Sequence, residues 1–118
     1  MRALIVDDEP PARELIQEYL EDAPRIEPIG ECKNGREAIE AINAEAPDLV
    51  FLDVQMPGLD GFDVLEQIDT LPDIIFSTAY DEYAIEAFDA GAVDYLLKPY
   101  SKDRFQTAVE RVLERHDR

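Results

Sequence analysis

The chain has 118 residues, which is the size of one ordinary domain and too short for two. It carries 28 acidic and 11 basic side chains, so its formal net charge is −17 and most of its surface would repel a nucleic acid. The lone Cys32 excludes an internal disulfide, acidic residues follow Met1 too early for a signal peptide, and no apolar run approaches the ~18 residues of a membrane span. We therefore expect a cytoplasmic protein that has no membrane partner and does not bind nucleic acid directly.

The first part of the chain predicts two pairs of strand and helix. A short apolar run at residues 4–6 precedes a segment whose apolar side chains recur with helical spacing at 12–20. Residues 26–32 predict a weaker strand. Asn34 then follows as a helix N-cap, with Glu37 as its capping-box partner.

The remaining sequence predicts three further pairs. Strands are expected at the apolar runs 49–52, 74–76 and 95–97. The helices that follow them are expected near 61–69, near 82–90 with Gly91 as the C-terminal cap, and at 105–113. Short strands without polar alternation are typical of a sheet that is covered on both faces.

The alternation of strand and helix predicts the fold class. Such units form right-handed parallel crossovers within one sheet. Pro28 cannot donate a hydrogen bond to a strand ladder and prefers a sheet edge, which places the second strand outermost. We therefore predict an α/β fold with a doubly wound five-stranded parallel sheet of order 2-1-3-4-5, the flavodoxin-like (βα)5 arrangement, in one domain over residues 1–118.

Chemical groups follow four of the predicted strands at the points where the strands end. Asp7 and Asp8 follow the first strand, Asp53 the third, Thr78 the fourth and Lys98 the fifth. The carboxyl ends of parallel strands share one edge, where open α/β sheets place their ligands. Three carboxylates held together are unfavourable unless protons or a cation compensate, and magnesium, which prefers oxygen ligands, is the natural cation for this set.

The carboxylates also have a purely structural interpretation. Aspartate often serves as a helix cap or a turn residue, and each of Asp7, Asp8 and Asp53 taken alone fits that role. Their common position at strand ends, together with Lys98, favours a functional site. A carboxylate beside magnesium can attack a phosphoryl group, and Lys98 and Thr78 would then contact the acyl phosphate that forms.

Four segments carry a resemblance to a known family. Residues 4–9, 53–61, 78–79 and 94–99 read LIVDDE, DVQMPGLDG, TA and DYLLKP. With these motifs, in this order, the chain resembles the receiver domain of bacterial two-component response regulators. The resemblance extends over about residues 2–112.

The resemblance implies a phosphoacceptor and a magnesium site. Asp53 would accept a phosphoryl group from the phosphohistidine of a sensor histidine kinase. Asp8, Asp53 and the backbone carbonyl of Gln55 would bind Mg²⁺, with Asp7 assisting. Such a domain is not an enzyme in the usual sense, because it catalyses only its own phosphorylation and dephosphorylation.

The resemblance also implies a conformational switch. Lys98 and Thr78 would act on the phosphoryl group, and Thr78 and Tyr95 would form the switch that remodels the surface around the fourth helix and the fifth strand. In similar receivers, the positions of Gln55 and Tyr80 influence how easily water attacks the acyl phosphate. A side chain as bulky as Tyr80 would shield it.

The aromatic-rich segments at 78–84 and 95–100, together with residues 87–88, resemble those of receivers that precede LytTR-type DNA-binding domains. Since the chain ends at the last predicted helix, the expected output domain is absent, and both a single-domain protein and a piece of a longer one remain open. We predict a phosphorylation-dependent homodimer that forms through aromatic side chains of the output face, the surface around the fourth helix and the fifth strand. Ordinary half-buried packing explains Tyr83 and Phe88 equally well. These aromatic residues are Tyr83, Phe88, Tyr95 and Tyr100.

Three other classes of protein share part of this pattern. A haloacid-dehalogenase-like phosphatase places a second aspartate two residues after its nucleophile, where this chain has Gln55. A flavodoxin-like cofactor binder needs a phosphate loop rich in glycine and hydroxyl groups, where this chain has acidic residues 7–9. A receiver that is never phosphorylated would not need the full set of acidic residues, hydroxyl and lysine.

Overall fold

Five strands alternate with five helices in a computed structural model that describes residues 1–118. All strands are parallel, and the sheet order is β2-β1-β3-β4-β5, which confirms the predicted fold class. In chain order, the elements are β1 (Arg2–Val6), α1 (Pro10–Leu20), β2 (Glu27–Cys32), α2 (Gly35–Glu45), β3 (Leu49–Leu52), α3 (Gly61–Gln67), β4 (Asp73–Thr78), α4 (Ala84–Asp89), β5 (Asp94–Leu97) and α5 (Lys102–His116).

The register of the central strands places their carboxyl ends at one level. Val6 of β1 is opposite Leu52 of β3, and Leu52 is opposite Phe76 of β4. The residues that follow Val6 and Leu52 are Asp7 and Asp53. Strand register alone therefore brings the two aspartates together at the sheet edge.

Alternating side chains of the sheet bury two apolar layers. Ile5 and Phe51 face one side, where they pack with α1 and α5, and the rings of Phe51 and Phe105 stack with centroids 5.4 Å apart. Leu4 and Val50 face the other side, where they pack with α2 and its neighbours. Both faces of the sheet are covered, which explains why its strands lack polar alternation.

Strand β2 forms one edge of the sheet and is irregular. Pro28 is opposite Ala3, and the register shifts between Ala3 and Leu4, where Leu4 pairs with Gly30. Glu27 is exposed. The prediction that the proline-containing strand is outermost is confirmed.

The helix ends differ from the predictions in detail. Asn34 does cap α2 by accepting a hydrogen bond from the Glu37 amide, but the Glu37 carboxylate accepts from the amide of Lys33 instead of completing the reciprocal bond at Asn34. Helix α3 has a full capping box between Asp60 and Asp63, which the sequence analysis did not identify.

The two middle helices are shorter than predicted. Helix α3 ends at Gln67 because Ile68 is already extended, and α4 covers only Ala84–Asp89. Gly91 follows α4 with φ of 94°, the left-handed conformation expected of a terminating glycine. None of the helices has both the length and the apolar character needed to cross a bilayer.

Candidate functional site

Four carboxylates converge at the carboxyl ends of β1 and β3. One oxygen from each of Asp7, Asp8, Glu9 and Asp53 lies within 4.8 Å of the others. Asp7 and Asp53 are buried, whereas Asp8 and Glu9 reach solvent. The cluster contains all three aspartates predicted from the strand ends, and it adds Glu9, which the sequence analysis missed although it directly follows Asp8.

Lys98 balances part of this negative charge. Its Nζ donates to Asp7 Oδ2 at 2.7 Å and to Asp53 Oδ2 at 3.4 Å, and it lies 3.9 Å from Glu9 Oε1. The backbone amide of Lys98 donates to the Thr78 carbonyl at 2.7 Å, which holds the segment after β5 against the end of β4. Lys98 follows the edge strand β5, and its side chain therefore extends past the end of β4 to the acidic cluster at β1 and β3.

The local environment changes the proton affinity of both central groups. Burial raises the pKa of the Asp53 carboxyl and the charge of Asp7 raises it further, while Lys98 works in the opposite direction. Burial alone would lower the pKa of Lys98, but its hydrogen bond to Asp7 and the nearby carboxylates outweigh that effect and raise it. Asp53 is thus a more basic carboxylate than an exposed aspartate, beside a lysine that stays charged.

The chain around Asp53 is fixed by close backbone packing. The amide of Gln55 donates to Asp53 Oδ1 at 3.2 Å. The amide of Gly61, at the start of α3, donates to the Val54 carbonyl at 2.9 Å, and a Cβ on Gly61 would lie 2.6 Å from the carbonyl oxygen of Asp53. Only glycine fits at this position without displacing the loop that carries Asp53.

The two predicted switch residues are connected through Tyr80. Thr78 is fully buried at the end of β4, and its Oγ1 accepts a hydrogen bond from the Tyr80 amide at 3.4 Å. The Tyr95 hydroxyl donates to the Tyr80 carbonyl. The half-buried Tyr95 ring also lies beside Phe76, with centroids 6.1 Å apart. One peptide segment after β4 therefore contacts both switch side chains.

The four aromatic residues predicted to form an interface do not share one environment. Phe88 of α4 is half exposed, and Tyr83 and Tyr95 pack at the margin of the apolar layer on the α4 side of the sheet. Tyr100 packs on the opposite side, near Tyr19, and its hydroxyl is hydrogen-bonded to Ser77 Oγ at 2.9 Å. This chain therefore places Tyr100 apart from the other three aromatic residues.

The donor set suits a small divalent cation. Carboxylate oxygens that lie within 4.8 Å of one another are the kind of ligand that magnesium prefers, and the ion usually keeps several waters beside its protein ligands. No cysteine or histidine belongs to the cluster, so softer transition metals have no preferred ligand there.

The sequence matches the family model described as "Response regulator receiver domain" over residues 3–110. Among curated proteins, it is 45% identical over 118 residues to an uncharacterized response regulatory protein of Vibrio cholerae, covering 98% of this chain and 50% of that protein. It is 45% identical over 114 residues to the transcriptional regulatory protein BtsR of Escherichia coli K12, covering 95% of this chain and 48% of that protein. The chain thus spans about half the length of these relatives.

Solved structures show the same fold. The response regulatory domain of mrkE from Klebsiella pneumoniae superposes with a TM-score of 0.88 at 31% identity, over 97% of this chain and 96% of that one. The REC domain of AraT, a response regulator from Geobacillus stearothermophilus, gives 0.85 at 34% identity, over 99% and 98%. A doubly wound parallel sheet of order 2-1-3-4-5 is the fold of receiver domains. The chain belongs to the response regulator receiver domain family.

Proposed function

We propose that this domain is the phosphoacceptor of a two-component system and that Asp53 receives the phosphoryl group from a sensor histidine kinase. The observation that supports this proposal most strongly is the geometry at Asp53. Its buried carboxylate lies in a cluster of four acidic groups and within 3.4 Å of the Lys98 ammonium. A nucleophile, a cation site and a positive group for the incoming phosphoryl oxygens are therefore in one place.

Mg²⁺ is the cofactor that we propose for this cluster. Asp8 and Asp53, with the backbone carbonyl of Gln55, would hold the ion, and Asp7 would assist while it also orients Lys98. When bound, the ion neutralises the oxygens of the phosphoryl group and reduces their repulsion from the carboxylates. The chain itself would supply the Asp53 oxygen that bonds to phosphorus, while the bond between phosphorus and the histidine nitrogen of the kinase breaks and its electron pair stays on that nitrogen. Lys98 would pair with the negative charge of the transferred group.

Thr78 and Tyr95 are the proposed switch. A phosphoryl group on Asp53 offers new acceptors for the Thr78 hydroxyl. Movement of Thr78 would shift the Tyr80 peptide, to which the Tyr95 hydroxyl is bonded. The expected result is a changed surface around α4, β5 and α5.

The biological output lies beyond this domain in our proposal. We assign the chain to the LytTR-type receivers because of its aromatic-rich segments after β4 and around β5, and we propose that a DNA-binding output domain accompanies it in a longer protein. The curated relatives are about twice as long as this chain, which supports the part of the proposal that concerns a longer protein. The receiver would control DNA binding through phosphorylation-dependent dimerisation in the cytoplasm, and it would not contact DNA itself.

Phosphorylation of Asp53 can be tested directly. Incubation with acetyl phosphate and Mg²⁺ should add one phosphoryl group to the wild-type chain and none to Asp53→Asn, as measured by intact mass spectrometry. Asp69→Asn is a matched control, since this exposed aspartate lies outside the acidic cluster. Labelling of Asp53→Asn equal to that of the wild type would contradict the assignment.

The same experiment separates a receiver from a phosphatase. A receiver should stop near one phosphoryl group per chain and release phosphate slowly, whereas a phosphatase should consume acetyl phosphate through many turnovers. Inorganic phosphate released over time measures the difference. Sustained rapid turnover would show that the chain is an enzyme in the usual sense.

A further inference from the structure

The short segment between β5 and α5, which carries Lys98, is held against β4 at two points. The amide of Lys98 donates to the Thr78 carbonyl at 2.7 Å. Two residues later, the Tyr100 hydroxyl is hydrogen-bonded to Ser77 Oγ at 2.9 Å. One attachment is therefore made at Lys98 itself, and the other lies just beyond it.

The hydrogen bond between Ser77 and Tyr100 is buried. Ser77 is only 1% exposed, and Tyr100 is half-buried against the apolar layer that contains Phe105. Water has little access to the Ser77 hydroxyl, so the loss of its partner would leave this hydroxyl unpaired. The bond therefore favours one position of the segment over alternatives that would separate the two hydroxyls.

Tyr100 is also fixed by the start of α5. Its ring is nearly parallel to that of Phe105, with centroids 6.3 Å apart and an angle of 12° between the ring planes. Ser101 caps α5 by accepting a hydrogen bond from the Arg104 amide at 3.1 Å. An apolar contact between the residue before a cap and the fourth helical residue is a hydrophobic staple, which fixes the direction in which the chain enters the helix. The segment that carries Lys98 thus ends on a well-held residue.

The position of the Lys98 backbone determines which carboxylates its ammonium reaches. Nζ lies 2.7 Å from Asp7 Oδ2 and 3.4 Å from Asp53 Oδ2. The contact with Asp53 is already long for a hydrogen bond, so a shift of the segment would break it first. The lysine side chain is flexible, and it depends on its backbone for a defined place between the two aspartates.

We propose that Tyr100 is a positioning residue for phosphorylation, because its bond to Ser77 keeps the Lys98 ammonium beside Asp53. This inference rests on the proposed function of Asp53. In transfer from acetyl phosphate, the Asp53 oxygen bonds to phosphorus, and the bond between phosphorus and the acetate oxygen breaks with its electron pair staying on acetate. Lys98 stabilises the negative charge on the phosphoryl oxygens during this exchange. Tyr100 acts only through the lysine.

The bond can be removed from either side. Tyr100→Phe deletes one hydroxyl and keeps the ring, and Ser77→Ala deletes the other hydroxyl. The rate of phosphorylation by acetyl phosphate with Mg²⁺, followed by intact mass spectrometry, should fall about fivefold in each variant, the factor that corresponds to one net hydrogen bond. The double variant should be no slower, because both substitutions remove the same bond. It also leaves no hydroxyl unpaired, which separates lost positioning from lost stability.

A second set of variants tests whether Tyr100 acts through the lysine. Lys98→Gln should react more slowly than the wild type, and adding Tyr100→Phe should change that rate by less than about twofold. A tyrosine with a merely structural role would slow both backgrounds equally. Tyr19→Phe is the matched control, since it removes a phenolic hydroxyl that lies 3.4 Å from the Tyr100 carbonyl and makes no bond to β4. It should keep the wild-type rate.

A measurement without magnesium or phosphate tests the position of Lys98 alone. In the metal-free protein, the ammonium protons of Lys98 should exchange slowly with water and give an NMR signal, because Asp7 and Asp53 hold them. Tyr100→Phe should weaken or abolish this signal through faster exchange. Tyr19→Phe should leave it unchanged.

The outcomes distinguish this inference from the proposal on which it rests. If the wild type is phosphorylated and Tyr100→Phe reacts at the same rate, the positioning role is wrong and the phosphoacceptor assignment stands. Equal losses in the Lys98→Gln background, or in Tyr19→Phe, would also overturn the positioning role. A wild-type chain that takes no phosphoryl group would overturn both.

Discussion

Asp94 lies buried at the start of β5, and its carboxylate is neutralised by two arginines of α5. Arg104 donates to both of its oxygens at 2.7 and 2.9 Å, and Arg111 donates to Oδ2 at 2.9 Å. The amide of Tyr95 donates to Oδ1 as well. The buried charge therefore has a partner for each oxygen, which ties α5 to the edge strand that carries Tyr95.

Asp94→Asn should destabilise the domain, because it leaves two guanidinium groups beside a neutral amide. We expect the free energy of unfolding to fall by about 2 kcal/mol at neutral pH, a modest value because both arginines are partly exposed. Urea unfolding followed by circular dichroism measures the change. Asp69→Asn should stay within about 0.5 kcal/mol of the wild type, and an equal loss in that variant would contradict the assignment to Asp94.

The contribution of Asp94 should also depend on pH. Although burial opposes ionisation, the hydrogen bonds and charges of Arg104 and Arg111 hold the pKa of this carboxyl below its ordinary value. Its stabilisation is therefore complete above the unfolded-state pKa of about 3.9 and is lost as pH falls through the lower folded-state value. The stability difference between wild type and Asp94→Asn should stay constant from pH 7 to about 5 and shrink below about 4. A difference that widens on acidification would be inconsistent with this linkage.

Helix α3 is packed directly against the proposed phosphoacceptor, because its first residue, Gly61, lies against the backbone of Asp53. A Cβ on Gly61 would also lie 3.2 Å from the ring of Phe76. The helix start is thus wedged between the loop that carries Asp53 and the sheet.

Gly61→Ala should push α3 away from β3. We expect a loss of about 1–3 kcal/mol in unfolding free energy, as is usual for overpacking, together with shifted NMR signals at Asp53 and a lower rate of phosphorylation by acetyl phosphate. Gly30→Ala is a suitable control, because its added Cβ would meet only Leu4 at an ordinary 3.5 Å. If Gly61→Ala is destabilised but phosphorylated at the normal rate, the packing of α3 does not control the reactivity of Asp53 and this prediction is wrong.

Sequence reasoning succeeded for elements whose signal is local. Apolar runs and helical spacing located all ten elements, and the missing amide of Pro28 placed β2 at the edge. The strand ends also identified the acidic groups and Lys98, because register in a parallel sheet converts chain position into proximity. The helix boundaries were less accurate, since extended backbone at Ile68 ends α3 where apolar spacing would allow it to continue.

Contacts between distant side chains could not be predicted in the same way. The Gln55 and Tyr83 side chains are 28 positions apart, and nothing in their spacing indicates a hydrogen bond. The pairing of Asp94 with Arg104 and Arg111 depends on how α5 lies against β5. Tyr100 lies on the opposite layer after a bend at Lys98 and Pro99, which periodicity does not describe.

On the scale of the whole molecule, net charge opposes self-association. Two copies at −17 each repel one another, so a dimer needs a local apolar contact to offset that repulsion. Ile85 and Phe88 of α4 are exposed by 79% and 50%, and they provide apolar area on the proposed output face.

Beryllofluoride with Mg²⁺, as a mimic of the phosphoryl group, should shift the protein from monomer to dimer, and added salt should strengthen the dimer by screening the repulsion. Phe88→Asp should block the shift. Leu71→Asp, which changes a side chain of nearly equal exposure on the loop before β4, should not. Light scattering measures the mass in each case, and an unchanged monomer with the mimic would count against the dimer.

The irregular edge formed by β2 has a consequence for how copies of this protein behave at high concentration. An open strand is a template on which a neighbouring chain can extend the ladder, the route by which native sheets begin to aggregate. Here a proline, a shifted register and an exposed glutamate interrupt that template along a single strand. These features therefore hinder a strand of a second copy from pairing with β2.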